Sequence, residues 1–222
     1  MAAAIPSIAC LGVIGRNNNP LHITIFPSYD FATNKRAPLR TPLQFSLLLS
    51  STLDVFEARR RASSTSASQS GSGAGSAGTA APIVTGDFGL LHAVDERLAA
   101  YGFETNTGVK FVAVVDMRGR FAAGSAAGFG AGAGGAGGER TMSMGVGAGV
   151  RGGVGLREQE LRVVFRAMQT AYVRLLQNPF YDPDEHAPLV PAAGGGKRIT
   201  SRKFAEEMRR IGEGWAPGVT SL

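Results

Sequence analysis

The chain reads as a mixed α/β (α+β) fold: a five-stranded antiparallel sheet with one helix on one face and two on the other. Three observations predict it. Two short runs, Ile8–Gly15 and Val109–Asp116, are apolar at nearly every position, as strands covered on both faces must be. The segment Leu21–Ile25 alternates apolar with polar residues at a period of two. Three longer stretches carry apolar residues at helical spacing, enough cover for both faces of a sheet.

The elements follow in order. Ile8–Gly15 (IACLGVIG) runs into Arg16-Asn17-Asn18-Asn19-Pro20, a turn composition, after which Leu21, Ile23 and Ile25 alternate with His22 and Thr24. The two make a hairpin, with the half-exposed second strand at the edge. A long, basic connection, Pro27–Arg40, leads to a helix start: Thr41 fits the N-cap, Pro42 the first helical position and Gln44 the third, a capping-box pattern. Phe45, Leu48, Leu49, Val55 and Phe56 supply the apolar face. The helix is expected to reach about Arg59–Arg61, where three cations suit the C-terminal dipole.

Three apolar segments come next: Phe88–Val94, Leu98–Glu104 and Val109–Asp116, with Asn106-Thr107-Gly108 turning between the last two. The two central strands belong side by side, which makes the order 2-1-5-4-3. A long helix then carries Leu161, Val164, Phe165, Met168, Tyr172, Leu175 and Leu176 inward and must stop at Asn178, before Pro179. Phe180 and Tyr181 are expected to pack back on the core. A last helix spans about Thr200–Ile211 with Phe204, Met208 and Ile211 inward, and Gly212 is expected to end it.

Gly and Pro make up 42 of the 222 residues and are concentrated. Residues 62–82 contain only Ala, Ser, Thr, Gln, Gly and Pro, and residues 119–155 hold 15 of the 31 glycines. Neither stretch can bury enough apolar surface to offset its ordering entropy, so both read as disordered, low-complexity insertions. They decorate the fold without dividing it. Lengthening the second loop from a handful of residues to its full length costs only about 1.6 kcal/mol of closure entropy. One domain over residues 1–222 is the expectation.

Other classes are excluded by what is missing. The single Cys10 excludes an internal disulfide framework and a Cys-based zinc site, and it lies in a buried strand, where a thiol packs more often than it reacts. No apolar run approaches the roughly 18–20 residues that cross a bilayer. The N-terminus lacks a positive charge before its apolar run, so a soluble, intracellular protein is expected. A formal G-x-G-x-x-G at Gly130, Gly132 and Gly135 lies too far from any strand or helix to cradle a phosphate. Asp182, Asp184, Glu185 and His186 cluster without calcium-loop spacing and read as a solvated loop.

His22, His92 and His186 lack zincin partners. The formal charge of +6 permits an acidic partner or an anionic membrane surface. Arg59–Arg61, Lys197-Arg198, Arg202-Lys203 and Arg209-Arg210 lack the interleaved aromatics of a nucleic-acid site and read as solvated helix faces. No catalytic residue, cofactor, metal or nucleic acid is expected; the work of this chain is binding.

The element order β-β-α-β-β-β-α-α with this sheet is the longin or profilin-like plan. Three segments in register sharpen the likeness: STLDVFE (Ser51–Glu57), TGVKFVAVVD (Thr107–Asp116) and LREQELRVVFRAMQTAYVRLLQNPFY (Leu156–Tyr181). Together they resemble the sedlin family, the small longin-type subunits of the TRAPP vesicle-tethering complex. The resemblance covers about 140 residues, essentially all outside the two insertions. It implies a non-catalytic adaptor, binding other TRAPP subunits and only indirectly a Rab GTPase. It also implies a cytoplasmic location, peripheral at ER–Golgi intermediate and Golgi membranes through the complex.

In that family the acidic residue of the first-helix motif is associated with binding a larger subunit. The matching position is Asp54, flanked by Leu53 and Val55. Taken alone, Asp54 reads more readily as a charge on a solvated helix face, and the resemblance is what reverses that. The alternatives are a longin-type regulatory domain of SNARE type, a small enzyme, or a basic nucleic-acid module.

Overall fold

The computed structural model describes residues 4–30, 33–69, 86–121, 158–183 and 198–222. Their elements are β1 (Ala4–Ile14), β2 (Pro20–Ile25), β3 (Ser28–Asp30), β4 (Lys35–Ala37), α1 (Pro42–Gln69), β5 (Asp87–Ala93), β6 (Leu98–Glu104), β7 (Lys110–Phe121), α2 (Glu158–Leu176) and α3 (Arg202–Gly214). Five of the strands form one antiparallel sheet in the order β2-β1-β7-β6-β5. This replaces the expected 2-1-5-4-3 because a two-stranded hairpin, β3–β4, takes two places in the count inside the Pro27–Arg40 connection. The mixed α/β architecture, with three helices among the described residues, is consistent with a longin-like plan.

β1 and β7 lie at the centre and share the longest ladder, from Ala4 opposite Phe121 to Ile14 opposite Lys110. Their apolar runs are buried on both faces, as their composition requires: Ile8, Leu11 and Val13 on one side, Ala9, Cys10 and Ile14 on the other. The neighbours Ala9 and Cys10 share a face because a bulge falls between Ile8, opposite Val115, and Cys10, opposite Val114. β2 is an edge strand. The Asn-rich turn closes with Asn18 at φ 60°, a left-handed conformation that Asn tolerates.

The two faces have separate cores. Leu161, Val164, Phe165, Met168 and Tyr172 of α2 and Phe204, Met208 and Ile211 of α3 pack on one. Leu176, expected inward with them, is instead 40% exposed as the last residue of α2. Phe45, Leu48, Leu49 and Phe56 of α1 pack on the other. Trp215 is fully buried where α2 and α3 meet, and its Nε1–H donates to the Glu160 carbonyl at 3.2 Å.

Several boundaries differ from expectation. α1 continues to Gln69, eight residues into the low-complexity stretch 62–82, so its opening is helical. Loss of the apolar stripe removes packing, but once a helix is nucleated each further Ala or Ser adds its backbone hydrogen bond. β7 likewise runs to Phe121, into the stretch 119–155, the remainder of which lies outside the described residues. Gly119 sits there because a Cβ would fall 1.8 Å from Ser7 Oγ.

Gly212 does not end α3, which continues to Gly214. The ring of Phe26 takes up the space of its missing side chain, with a Cβ reaching 2.1 Å from Cζ. Phe180 does not pack back on the core: it is 95% exposed, while Tyr181 is half-buried against it. Asn178 explains the split, because its Oδ1 accepts from the Phe180 N–H at 3.2 Å and its carbonyl from the Tyr181 N–H at 3.0 Å, holding a tight turn.

Candidate functional site

α1 begins as its sequence dictates. Thr41 N–H donates to Gln44 Oε1 at 2.9 Å and Gln44 N–H donates to Thr41 Oγ1 at 3.3 Å, a reciprocal capping box. Arg40, just before it, donates to Asp95 Oδ2 at 2.7 Å and ties the helix start to the β5–β6 turn. Burial pushes the Asp95 carboxyl up, but Arg40 and the backbone N–H groups of Leu98 and Arg97 outweigh it and hold it below its ordinary value.

Phe45, Leu48, Leu49, Thr52 and Phe56 turn towards the sheet and are buried. The hydroxyl of Thr52 is satisfied by the Leu49 carbonyl at 2.6 Å. Two strand glycines set the seating. A Cβ at Gly12 would lie 2.7 Å from both Leu49 methyls, and one at Gly102 would lie 2.4 Å from Phe56 Cζ. The helix therefore rests on the backbone of β1 and β6.

This rotation decides where the expected site residues go. Asp54 points outward and is exposed, and among the described residues its carboxylate makes no ion pair or hydrogen bond. Leu53 and Val55 are half-buried and pack against the α1-side core, so they flank the carboxylate without sharing its exposure. Two further residues share its face. Leu43 and Leu47, 70% and 62% exposed, continue through Ser50 to Asp54 at helical spacing. The apolar pattern of α1 could have shown them, since neither fits the inward set.

Arg59–Arg61 are not at the helix end. Arg59 donates to the Leu90 carbonyl of β5, Arg60 lies 3.7 Å from Glu104 and Arg61 3.3 Å from Glu57. They brace α1 against the sheet edge and its own surface. Two of the four cations of α3 are engaged too: Arg209 with Glu213 at 2.8 Å and Arg210 with Glu207 at 2.9 Å. Lys197, Asp184, Glu185, His186 and the Gly130–Gly135 motif lie outside the described residues.

Elsewhere the polar groups hold the fold. Asp116 is fully buried and accepts from Arg97 Nε at 2.8 Å and Nη2 at 2.9 Å, and Arg97 also donates to the Tyr29 carbonyl of β3. Lys110, opposite Glu104 in the ladder, donates to Asn18 Oδ1 at 3.0 Å, and burial lowers its pKa. Burial pushes the Cys10 thiol up to about 12, which leaves it protonated and inert. Among the described residues no three His, Cys, Asp or Glu side chains gather as a metal site would need. No described helix is long and apolar enough to cross a membrane.

Residues 13–214 match the family model described as Sedlin. A Mus musculus protein named "Trafficking protein particle complex subunit 2-like protein" is 24% identical over 195 residues, covering 88% of this chain and 89% of that protein. A protein of the same name from Dictyostelium discoideum is 21% identical over 205 residues, 92% of this chain and 95% of its own length. One from Xenopus tropicalis is 23% identical over 176 residues, 79% and 84%.

Proposed function

The chain belongs to the sedlin family, and on that premise we propose that it is a non-catalytic adaptor subunit of a TRAPP vesicle-tethering complex. It works as one longin-like domain in the cytoplasm and reaches ER–Golgi intermediate and Golgi membranes through the complex. Its contact with a Rab GTPase is indirect, through the assembled core.

The observation that carries this reading is the outward face of α1. A carboxylate with no partner among the described residues stands on a helix rigidly seated by Gly12 and Gly102, and two exposed leucines extend the same face. A binding surface needs a preorganised patch of this kind, apolar area beside a charge that can be paired on docking. Asp54 is the proposed contact to a larger subunit, accepting charge-assisted hydrogen bonds from a cation that desolvates with it. Leu53 and Val55 hold the helix turn that presents it.

A tagged pull-down from cells, read by mass spectrometry, tests this with wild type beside Asp54→Tyr. TRAPP subunits should come down with wild type, and the large ones should drop out of the variant. Wild type bringing down no TRAPP subunit would refute the adaptor reading; an unchanged variant would remove Asp54 from the interface.

A further inference from the structure

A second site lies away from α1, where the N-terminal half of β1, the β2–β3 link, β4 and the ends of β7 and α3 meet around a cavity of about 500 Å³. One wall is apolar, formed by Ile8, Phe26 and Pro27, and Arg36 and Arg120 also line it. Ser7 lines it as well; it is 2% exposed, and its hydroxyl has no hydrogen-bond partner among the described residues. A buried hydroxyl is normally satisfied, so an orphan at a cavity wall points to a missing acceptor or donor.

The charges point the same way. Arg120 spends two of its nitrogens on backbone carbonyls at the end of α3, Glu213 at 2.7 Å and Trp215 at 3.2 Å, and a guanidinium has five N–H donors in all. Arg36 is exposed on β4 and has no carboxylate partner among the described residues. Burial first, and the charge of Arg36 second, hold the Arg120 guanidinium below its ordinary value. Among the described residues the one carboxylate at the rim, Glu213, is turned to Arg209 at 2.8 Å. Two like charges thus face a cavity in which, among the described residues, nothing of opposite sign is free to compensate them.

We propose that this cavity binds a phosphorylated organic molecule. Its phosphate monoester lies between the guanidiniums of Arg36 and Arg120 within reach of the Ser7 hydroxyl, and its organic part lies on Ile8, Phe26 and Pro27. A phosphate monoester carries about −1.5 to −2 charges at neutral pH, which matches two guanidiniums better than a carboxylate would. The volume is in the range of small-molecule sites, roughly 300–1,000 Å³. The phosphate can belong to a soluble metabolite or to a phosphoinositide head group.

The test uses the full chain. Calorimetric titration with inorganic phosphate and with myo-inositol 1-phosphate probes the soluble source. Co-sedimentation with phosphatidylcholine vesicles, with and without phosphatidylinositol phosphates, probes the lipid. Saturable binding to a soluble phosphate assigns the first source, and binding to the phosphoinositide vesicles alone assigns the second. In either case Arg36→Glu should weaken binding about tenfold or more, and Arg36→Ala less, with the thermal midpoint of the free protein unchanged because Arg36 is exposed. Ser7→Ala should weaken binding severalfold. Absence of binding to every probe, or binding that Arg36→Glu and Ser7→Ala leave at the wild-type level, overturns the proposal.

Discussion

On one face of the sheet α2 and α3 pack against each other as well as against the strands, and buried Trp215 closes the seam between them. On the other face α1 is the one helix among the described residues, lowered onto the strands by the missing side chains of Gly12 and Gly102. The outward surfaces differ to match. That of α3 is laced with ion pairs, Arg209 with Glu213 and Arg210 with Glu207, whereas that of α1 shows Leu43, Leu47 and Asp54. Internal packing accounts for the first surface and leaves the second without a reason among the described residues. The proposed interface is placed there for that reason.

The comparison can be broken most severely at the seam. Trp215→Ala removes a fully buried ring and a hydrogen bond to α2, and urea denaturation should show a loss of about 4 kcal/mol. Asp116→Ala comes next. It leaves Arg97 without its buried carboxylate and loosens the β3–β4 hairpin that Arg97 holds through Tyr29, at a cost of about 3 kcal/mol in the same assay.

On the α1 side the expected effects are smaller. Gly12→Ala crowds two flexible methyls of Leu49 and should cost about 1–2 kcal/mol, with amide exchange speeding up in α1 more than in α2 or α3. His22 sharpens the contrast from the other side. It lies against Phe204 with ring centroids 5.2 Å apart, and burial lowers its pKa. A depressed folded pKa means that its contribution is fully present above the ordinary value of 6.5 and is lost as pH falls through the folded pKa. His22→Gln should flatten that part of the stability–pH curve.

Asp54→Tyr and Leu47→Ser should change stability least, by about 0.5 kcal/mol or less, since both positions are exposed. If the proposed interface is right, both nevertheless weaken recovery of large TRAPP subunits in the pull-down. A destabilisation comparable to Trp215→Ala would make them structural residues.

Much of this was legible because it is local. The capping box at Thr41–Gln44 needs only four residues, and the outward position of Asp54 follows from the period that turns Phe45, Leu49 and Phe56 inward. The β3–β4 hairpin was not legible, since SYD and KRA carry no apolar period; it is held by Arg97, distant in sequence. Gly212 signalled a helix end and serves a close approach of Phe26 instead. Leu43 and Leu47 are apolar and outward; composition assigns them to a core, and only the period of α1, which leaves both outside the inward set, turns them away from it.

The sequence by itself determined the mixed α/β class, the two doubly covered strands, the helix faces and the absence of a known catalytic motif, because periodicity and capping are properties of neighbouring residues. Only the tertiary structure decided which glycines let α1 settle, how Arg97 and Asp116 bind the hairpin, and that Ser7, Arg36 and Arg120 meet around one cavity. Those arrangements join residues far apart in the chain. Their energies depend on distances and desolvation that arise only when the elements pack.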